Sequence, residues 1–236
     1  MFCLILLQLR SRFLILLLDF LSGIYIGDGN VIHFTRGQGM EAGTGTVLDN
    51  LFNSWLAPRS SSRTCEKCKH HTTNSNGVVL SCLDCFLSGC PLYKFQYEVD
   101  TATFLAKARG GTCTLAKDDS VEETIYRAFY LLKNGFGGYH LFRNNCEDFA
   151  MYCKTGLLIL DETLPGRSGQ AVSLMLGVPM VASFLNPSRL LVGAGVYCFS
   201  RYAVDLGVRK DTVKIDVEDL ALNLDLLSSS SSSSSS

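Results

Sequence analysis

The chain is short of charge: only 18% of its 236 residues are Asp, Glu, Lys or Arg. The 21 basic and 22 acidic residues nearly cancel, leaving a formal net charge of −1. With no basic excess, nothing draws the chain to nucleic acid, and with no acidic excess nothing marks a charged tail. The apolar share of 47% excludes a mostly disordered protein. Histidine is also scarce, at four residues, so few side chains are available to shuttle a proton near neutral pH. No internal repeat is visible. The glycine-rich stretch Thr35–Thr46 lacks the strand–loop–helix setting of a phosphate loop.

What is abundant is unevenly placed. Of the first 21 residues, 16 are apolar. Residues 1–21 therefore read as an atypical apolar head. Arg10 and Arg12 before a second apolar run loosely resemble a signal peptide or anchor, but no A-x-A cleavage site follows. The same two arginines interrupt any membrane helix, which needs ~20 apolar residues. At the other end, residues 218–236 close in an unbroken serine run, Ser228–Ser236, which reads as a disordered tail. Between them, residues 166–217 form an apolar, helical C-terminal extension. Its two halves are each too short to cross a bilayer straight and suit a buried or membrane-surface helical pair.

The central part carries local structure signals. Ile24–Ile26 and Val31–Phe34 are β-branched and aromatic, and Gly27–Asn30 between them predicts a β-hairpin. Leu92–Val99 alternates like a strand. Ser120 is a candidate N-cap for a helix over Val121–Lys133, with Glu122 and Glu123 in its first turn. Ile125, Ala128, Phe129 and Leu132 would be its inner face, and Asn134-Gly135 its stop. Asn144-Asn145-Cys146 opens a second helix that runs towards Gly156.

Two groups of cysteines carry chemistry among the ten present. Cys146, at the start of a helix, would feel the positive end of the helix dipole, which favours the nucleophilic thiolate. His33, His70, His71 and His140 are the candidate bases. The plain alternative is a small buried thiol and a satisfied strand histidine. The second group is Cys65-x2-Cys68-x13-Cys82-x2-Cys85. Two C-x-x-C knuckles can supply four thiolates to one tetrahedral zinc, stapling the polar insertion at 60–90. Cys90, His70 and His71 are possible substitute ligands, and the alternative is four unligated or redox-active cysteines. Such patterns suit a reducing compartment better than a secreted disulfide framework.

The segments GIYIGDGNVIHF (23–34), HFTRGQG (33–39), SCLDCFLSG (81–89), FLAKARGGTCTLA (104–116), RAFYLLKNGFGGYHLFRNNCEDFA (127–150) and YCKTGLL (152–158) together resemble the plant branch of the lecithin:retinol acyltransferase-like (LRAT) family. That family belongs with the circularly permuted papain-like NlpC-type enzymes. The resemblance implies an α+β fold over residues 22–165, an antiparallel sheet packed on helices, here with the Cys-rich insertion. It implies a thiol acyltransferase or phospholipase that takes acyl groups from lipid esters through a thioester. Cys146 matches the nucleophile and His33 the second, orienting histidine. The base histidine belongs twelve residues earlier, at Leu21, and no histidine precedes His33. The family's first strand belongs where the apolar head lies, so the head is expected to have replaced that segment and to leave catalysis weak or absent. The implied partners are a lipid or acyl-ester substrate and a membrane surface, in an intracellular setting, cytoplasmic or peripheral to a membrane. A non-catalytic binding or scaffold protein on the same fold is the alternative, and a peptidase or amidase a weaker third.

Overall fold

The computed structural model describes residues 5–9, 20–35, 65, 77–87, 89, 91–107, 111–139, 144–159 and 187–220. The expected hairpin is present as β2 (Phe20–Gly27) and β3 (Asn30–Thr35), paired antiparallel. Asp28 and Gly29 both take positive φ, 49° and 72°. That is the backbone twist a two-residue hairpin turn requires, and Asp-Gly supplies it with little strain. The Gly29 N–H donates to the Tyr25 hydroxyl at 3.1 Å, which ties the turn to its own strand.

Two further strands extend the hairpin on either side. β4 (Gly77–Cys82) pairs with β3, and β1 (Ile5–Leu9) pairs with β2. β5 (Leu92–Lys94) pairs with the far side of β1, giving the order β4-β3-β2-β1-β5. This corrects the reading of the apolar head. Its segment Ile5–Leu9 fills the strand position next to β2, with Leu7 opposite Ser22. A backbone hydrogen-bonded on both edges within a sheet is not behaving as a signal or anchor, and that reading finds no support. Among the described residues no helix is long and apolar enough to cross a membrane. The strand expected over Leu92–Val99 is also shorter: it stops at Lys94, followed by a single bridge from Gln96 to Cys113.

Three of the helices pack on the two faces of the sheet. α1 (Leu83–Leu87) follows β4 directly, and α2 (Thr101–Ala106) is capped by Asp100. α3 (Val121–Asn134) starts at the Ser120 N-cap and ends at Gly135, as expected. Its inner face is turned from the expected one. Thr124, Arg127, Ala128 and Leu131 are buried, while Phe129 is exposed. Arg127 is drawn in because it pairs with Asp119 at 2.7 Å and donates to the Cys153 carbonyl at 3.2 Å. A buried guanidinium with both partners met is tolerated where a lone one is not.

α4 (Cys146–Thr155) is the central helix, with nearly every side chain buried. Phe149 and Ala150 pack with Ile24, Ile32 and Phe34 of the hairpin and with Ala128 and Leu131 of α3. Gly156 ends it at φ 67°, a left-handed cap suited to glycine. The chain then forms β6 (Leu157–Ile159), which pairs with β7 (Thr212–Lys214). Between them lies α5 (Pro187–Val204), with proline at its first position, where a missing N–H costs nothing. Just past α5, Asp205 accepts from the Thr114 hydroxyl and the Leu115 N–H, both at 3.1 Å. The Tyr152 hydroxyl donates to the Ile215 carbonyl at 2.9 Å. The segment 187–220 is thus tied onto the same body as the sheet. Residues 160–186 and the serine tail lie outside the described residues.

On the opposite face of the hairpin a smaller cluster forms from Val31 and Phe86, with Leu21, Tyr25, Leu83 and Leu87 against it. This places α1 across the sheet from α4. Gly23 lies beneath it: a Cβ there would come 2.8 Å from Val31 Cγ1 and 3.1 Å from Phe86 Cε2. Only glycine lets α1 sit this close.

Candidate active site

The N-terminus of α4 is built by its own asparagines. Asn145 is the N-cap, and its Oδ1 accepts from the N–H groups of Glu147 at 2.8 Å and Asp148 at 3.2 Å. Asp148 returns the bond by accepting from the Asn145 N–H at 2.9 Å, completing a capping box. Asn144 donates to the carbonyls of Phe136 at 2.8 Å and Gly138 at 3.0 Å. That fixes the loop which delivers Tyr139, whose ring lies 5.1 Å from that of Phe34.

Cys146 is the first residue of this helix, at 3% exposure. Burial pushes its thiol up from the ordinary 9.0 to about 11. The Ser22 N–H and the Tyr139 hydroxyl bond the sulfur and pull the other way, while the Glu147 and Asp148 charges add to the rise. Loss of water outweighs both bonds, so the thiol holds its proton more tightly than an ordinary cysteine. A cleft borders this helix along Glu147, Asp148 and Met151 and is closed by Phe104, Arg201 and Asp205. Cys146 is not among its lining residues.

The other expected site residues fall as follows. His33 lies between Ile32 and Phe34, which face α4, and its own side chain takes the other face. There it meets Phe86 edge-on at 5.1 Å, with Nε2 3.0 Å from Ser81 Oγ. Leu21, the position of the expected base, packs in the same Val31–Phe86 cluster. The β2 residue that reaches the thiol is its neighbour Ser22, fully buried, through its backbone. Ser22 and Tyr139 are therefore the site groups that sequence reasoning missed. The pleat offered one signal: Ser22 shares its parity with Ile24, an inward residue. His140, His70 and His71 lie outside the described residues.

The second cysteine group is partly assembled. The sulfurs of Cys65, Cys82 and Cys85 all lie within 4.8 Å of one another, those of Cys65 and Cys82 at 3.8 Å. The Cys85 N–H donates to Cys82 Sγ at 3.4 Å. This trio is close enough to hold one metal ion. Cys68 and Cys90 lie outside the described residues.

A family model described as Lecithin retinol acyltransferase matches residues 22–159, more than half of the chain. The chain belongs to this family. The match begins at Ser22, one residue past Leu21, and includes the hairpin, α3 and the Cys146 helix. Among curated relatives, the chain is 52% identical over 211 residues to Protein LEAD-SENSITIVE 1 of Arabidopsis thaliana. That alignment covers 86% of this chain and 80% of the relative. No solved structure matches. The α+β architecture, an antiparallel sheet with helices packed against it, is that expected of an LRAT-like, papain-like fold.

Proposed function

We propose that this LRAT-family chain carries the family's acyl-transfer apparatus with its nucleophile switched down. The chemistry of a thiol acyltransferase or phospholipase is simple to state. The Cys146 sulfur would attack the acyl carbonyl of a lipid ester. The carbon–oxygen bond breaks, the leaving alcohol takes a proton, and a thioester remains until an acceptor or water releases the acyl group.

The observation that carries the reading is the thiol's burial. With a value of about 11, roughly one thiol in ten thousand is ionised at pH 7. Leucine at position 21 can neither take the proton nor pair with a thiolate. Loss of a general base alone typically costs ~10²–10⁴-fold. His33, facing Phe86 and Ser81, would have to turn across the hairpin to substitute.

The substrate side of the proposal is a lipid surface. α5 presents Val192, Val196 and Phe199 on one exposed face, Phe199 at 72% exposure, and this supports docking against acyl chains. The proposal includes a structural zinc at Cys65, Cys82 and Cys85, with Cys68 as fourth ligand from the C-x-x-C spacing. A second reading, a non-catalytic binding protein on the same fold, is favoured by the same buried thiol acting as core.

Incubation of the purified chain with an activated acyl ester, followed by mass spectrometry of the Cys146 peptide, tests the proposal. The expected result is little or no acylation at pH 7. A stoichiometric thioester at neutral pH overturns it.

A further inference from the structure

We infer that Cys65, Cys82 and Cys85 bind one zinc ion as thiolates, and that this ion clamps α1 over the β2–β3 hairpin. The clamp deepens the zinc reading proposed above and rests on it. Tetrahedral zinc with bonds of ~2.3 Å holds its sulfurs ~3.8 Å apart. The Cys65–Cys82 separation is 3.8 Å, and all three sulfurs fall within 4.8 Å. A disulfide would need ~2.05 Å and would join only two of them. The Cys85 N–H pointing at Cys82 Sγ favours a thiolate there. On binding, each thiol gives its proton to solvent as a zinc–sulfur bond forms, and no electron is transferred.

The placement of the ligands gives the ion a mechanical role. Cys82 is the last residue of β4, and Cys85 is the third residue of α1. Cys65 arrives from a separate part of the chain. At five residues, α1 is far too short to be stable alone. Two other ties hold it. The Leu83 N–H donates to the Gly29 carbonyl in the hairpin turn at 2.7 Å. Phe86, 2% exposed, wedges against His33 and over Gly23. The ion is the third tie, made through Cys85 in the middle of α1. Losing it frees Phe86 to lift, and with it the packing around His33.

The experiment uses the full chain purified under reducing conditions. Metal content, cobalt substitution and amide hydrogen exchange are read with and without a chelator. The expected result is one zinc per chain and a thiolate-to-cobalt charge-transfer band. Exchange at residues 83–87 should be at least ~10-fold faster after chelation, with α3 unchanged as the fold control. Cys85→Ser should weaken zinc binding at least ~10-fold. Chelation of the unaltered chain supplies the same comparison if that variant does not fold. Absence of stoichiometric zinc overturns both the zinc site and the clamp. Zinc retained through these cysteines with exchange at 83–87 unmoved by chelation overturns the clamp alone. Undiminished affinity in Cys85→Ser removes Cys85 from the ligand set.

Discussion

Two cysteine sites sit on this fold, and their surroundings give them opposite characters. Cys146 begins a capped helix, the position that usually activates a thiol, yet it is enclosed and its pKa is raised to about 11. Cys65, Cys82 and Cys85 gather at a strand–helix junction, where two of the three remain partly exposed. A helix N-terminus favours a thiolate by a modest amount, whereas stripping water from sulfur costs more. In a shared cluster, a cation can offset that cost, because thiolates ionise as they bind it. Burial beside acidic neighbours raises the pKa of a single thiol, whereas three thiols within 4.8 Å of one another could share a metal ion.

The largest test of this contrast is reactivity. A thiol raised from 9.0 to about 11 is ~100-fold less ionised at neutral pH than an ordinary one. Alkylation of Cys146 by iodoacetamide, followed by peptide mass spectrometry, should be at least that much slower than for a free cysteine. The rate should climb with pH towards about 11. The sign for stability follows: the folded state holds its proton while the unfolded one releases it. Stability is therefore complete below about 9 and is lost as pH rises towards about 11. Alkylation at an ordinary rate at pH 7 would break the contrast. Next in size is Gly23→Ala, which forces Phe86 and Val31 aside. Urea unfolding should show a loss of ~1–3 kcal/mol. No loss would mean that α1 is not seated as described.

Asn145→Ala tests the other half of the contrast, the helix start. It removes the acceptor of two N–H bonds and one arm of the capping box. Unfolding free energy should fall by ~0.5–2 kcal/mol. Cys146 should become easier to alkylate as the first turn frays. Unchanged stability would show that the cap is redundant.

How much of this could be read beforehand follows from which interactions are local. Asp28-Gly29, the Ser120 cap, Asn145 and Gly156 act within a few residues, so the hairpin, α3 and the start and stop of α4 were legible. Of the four cysteines that the paired C-x-x-C spacing picked out, Cys65, Cys82 and Cys85 do come together, and Cys68 lies outside the described residues. What was lost depends on long-range company. Ile5–Leu9 read as part of an apolar head because a fully paired inner strand and a targeting segment both look like an apolar run. The inner face of α3 was set wrongly because Arg127, polar by type, is buried by Asp119 and by the Cys153 carbonyl. Tyr139 and Ser22 reach the thiol only through the packing of loop and strand against α4; strand parity marks Ser22 as inward-facing, but nothing local marks its contact with the sulfur or that of Tyr139.

The smallest predicted effect is therefore the most specific. Tyr139→Phe keeps the ring against Phe34 and removes only the hydroxyl that bonds the Cys146 sulfur. A single neutral hydrogen bond has a net worth of ~0.5–1.5 kcal/mol. Without it, the thiolate loses one of its two named donors, so the Cys146 value moves further up. Alkylation at a fixed pH of 9 should slow ~2–10-fold, with thermal stability little changed. The Ser22 donor cannot be removed by a side-chain change, because it is backbone. Faster alkylation in Tyr139→Phe would mean that the phenol shields the sulfur rather than stabilising its charge. The contrast between the two sites would then rest on access instead of electrostatics.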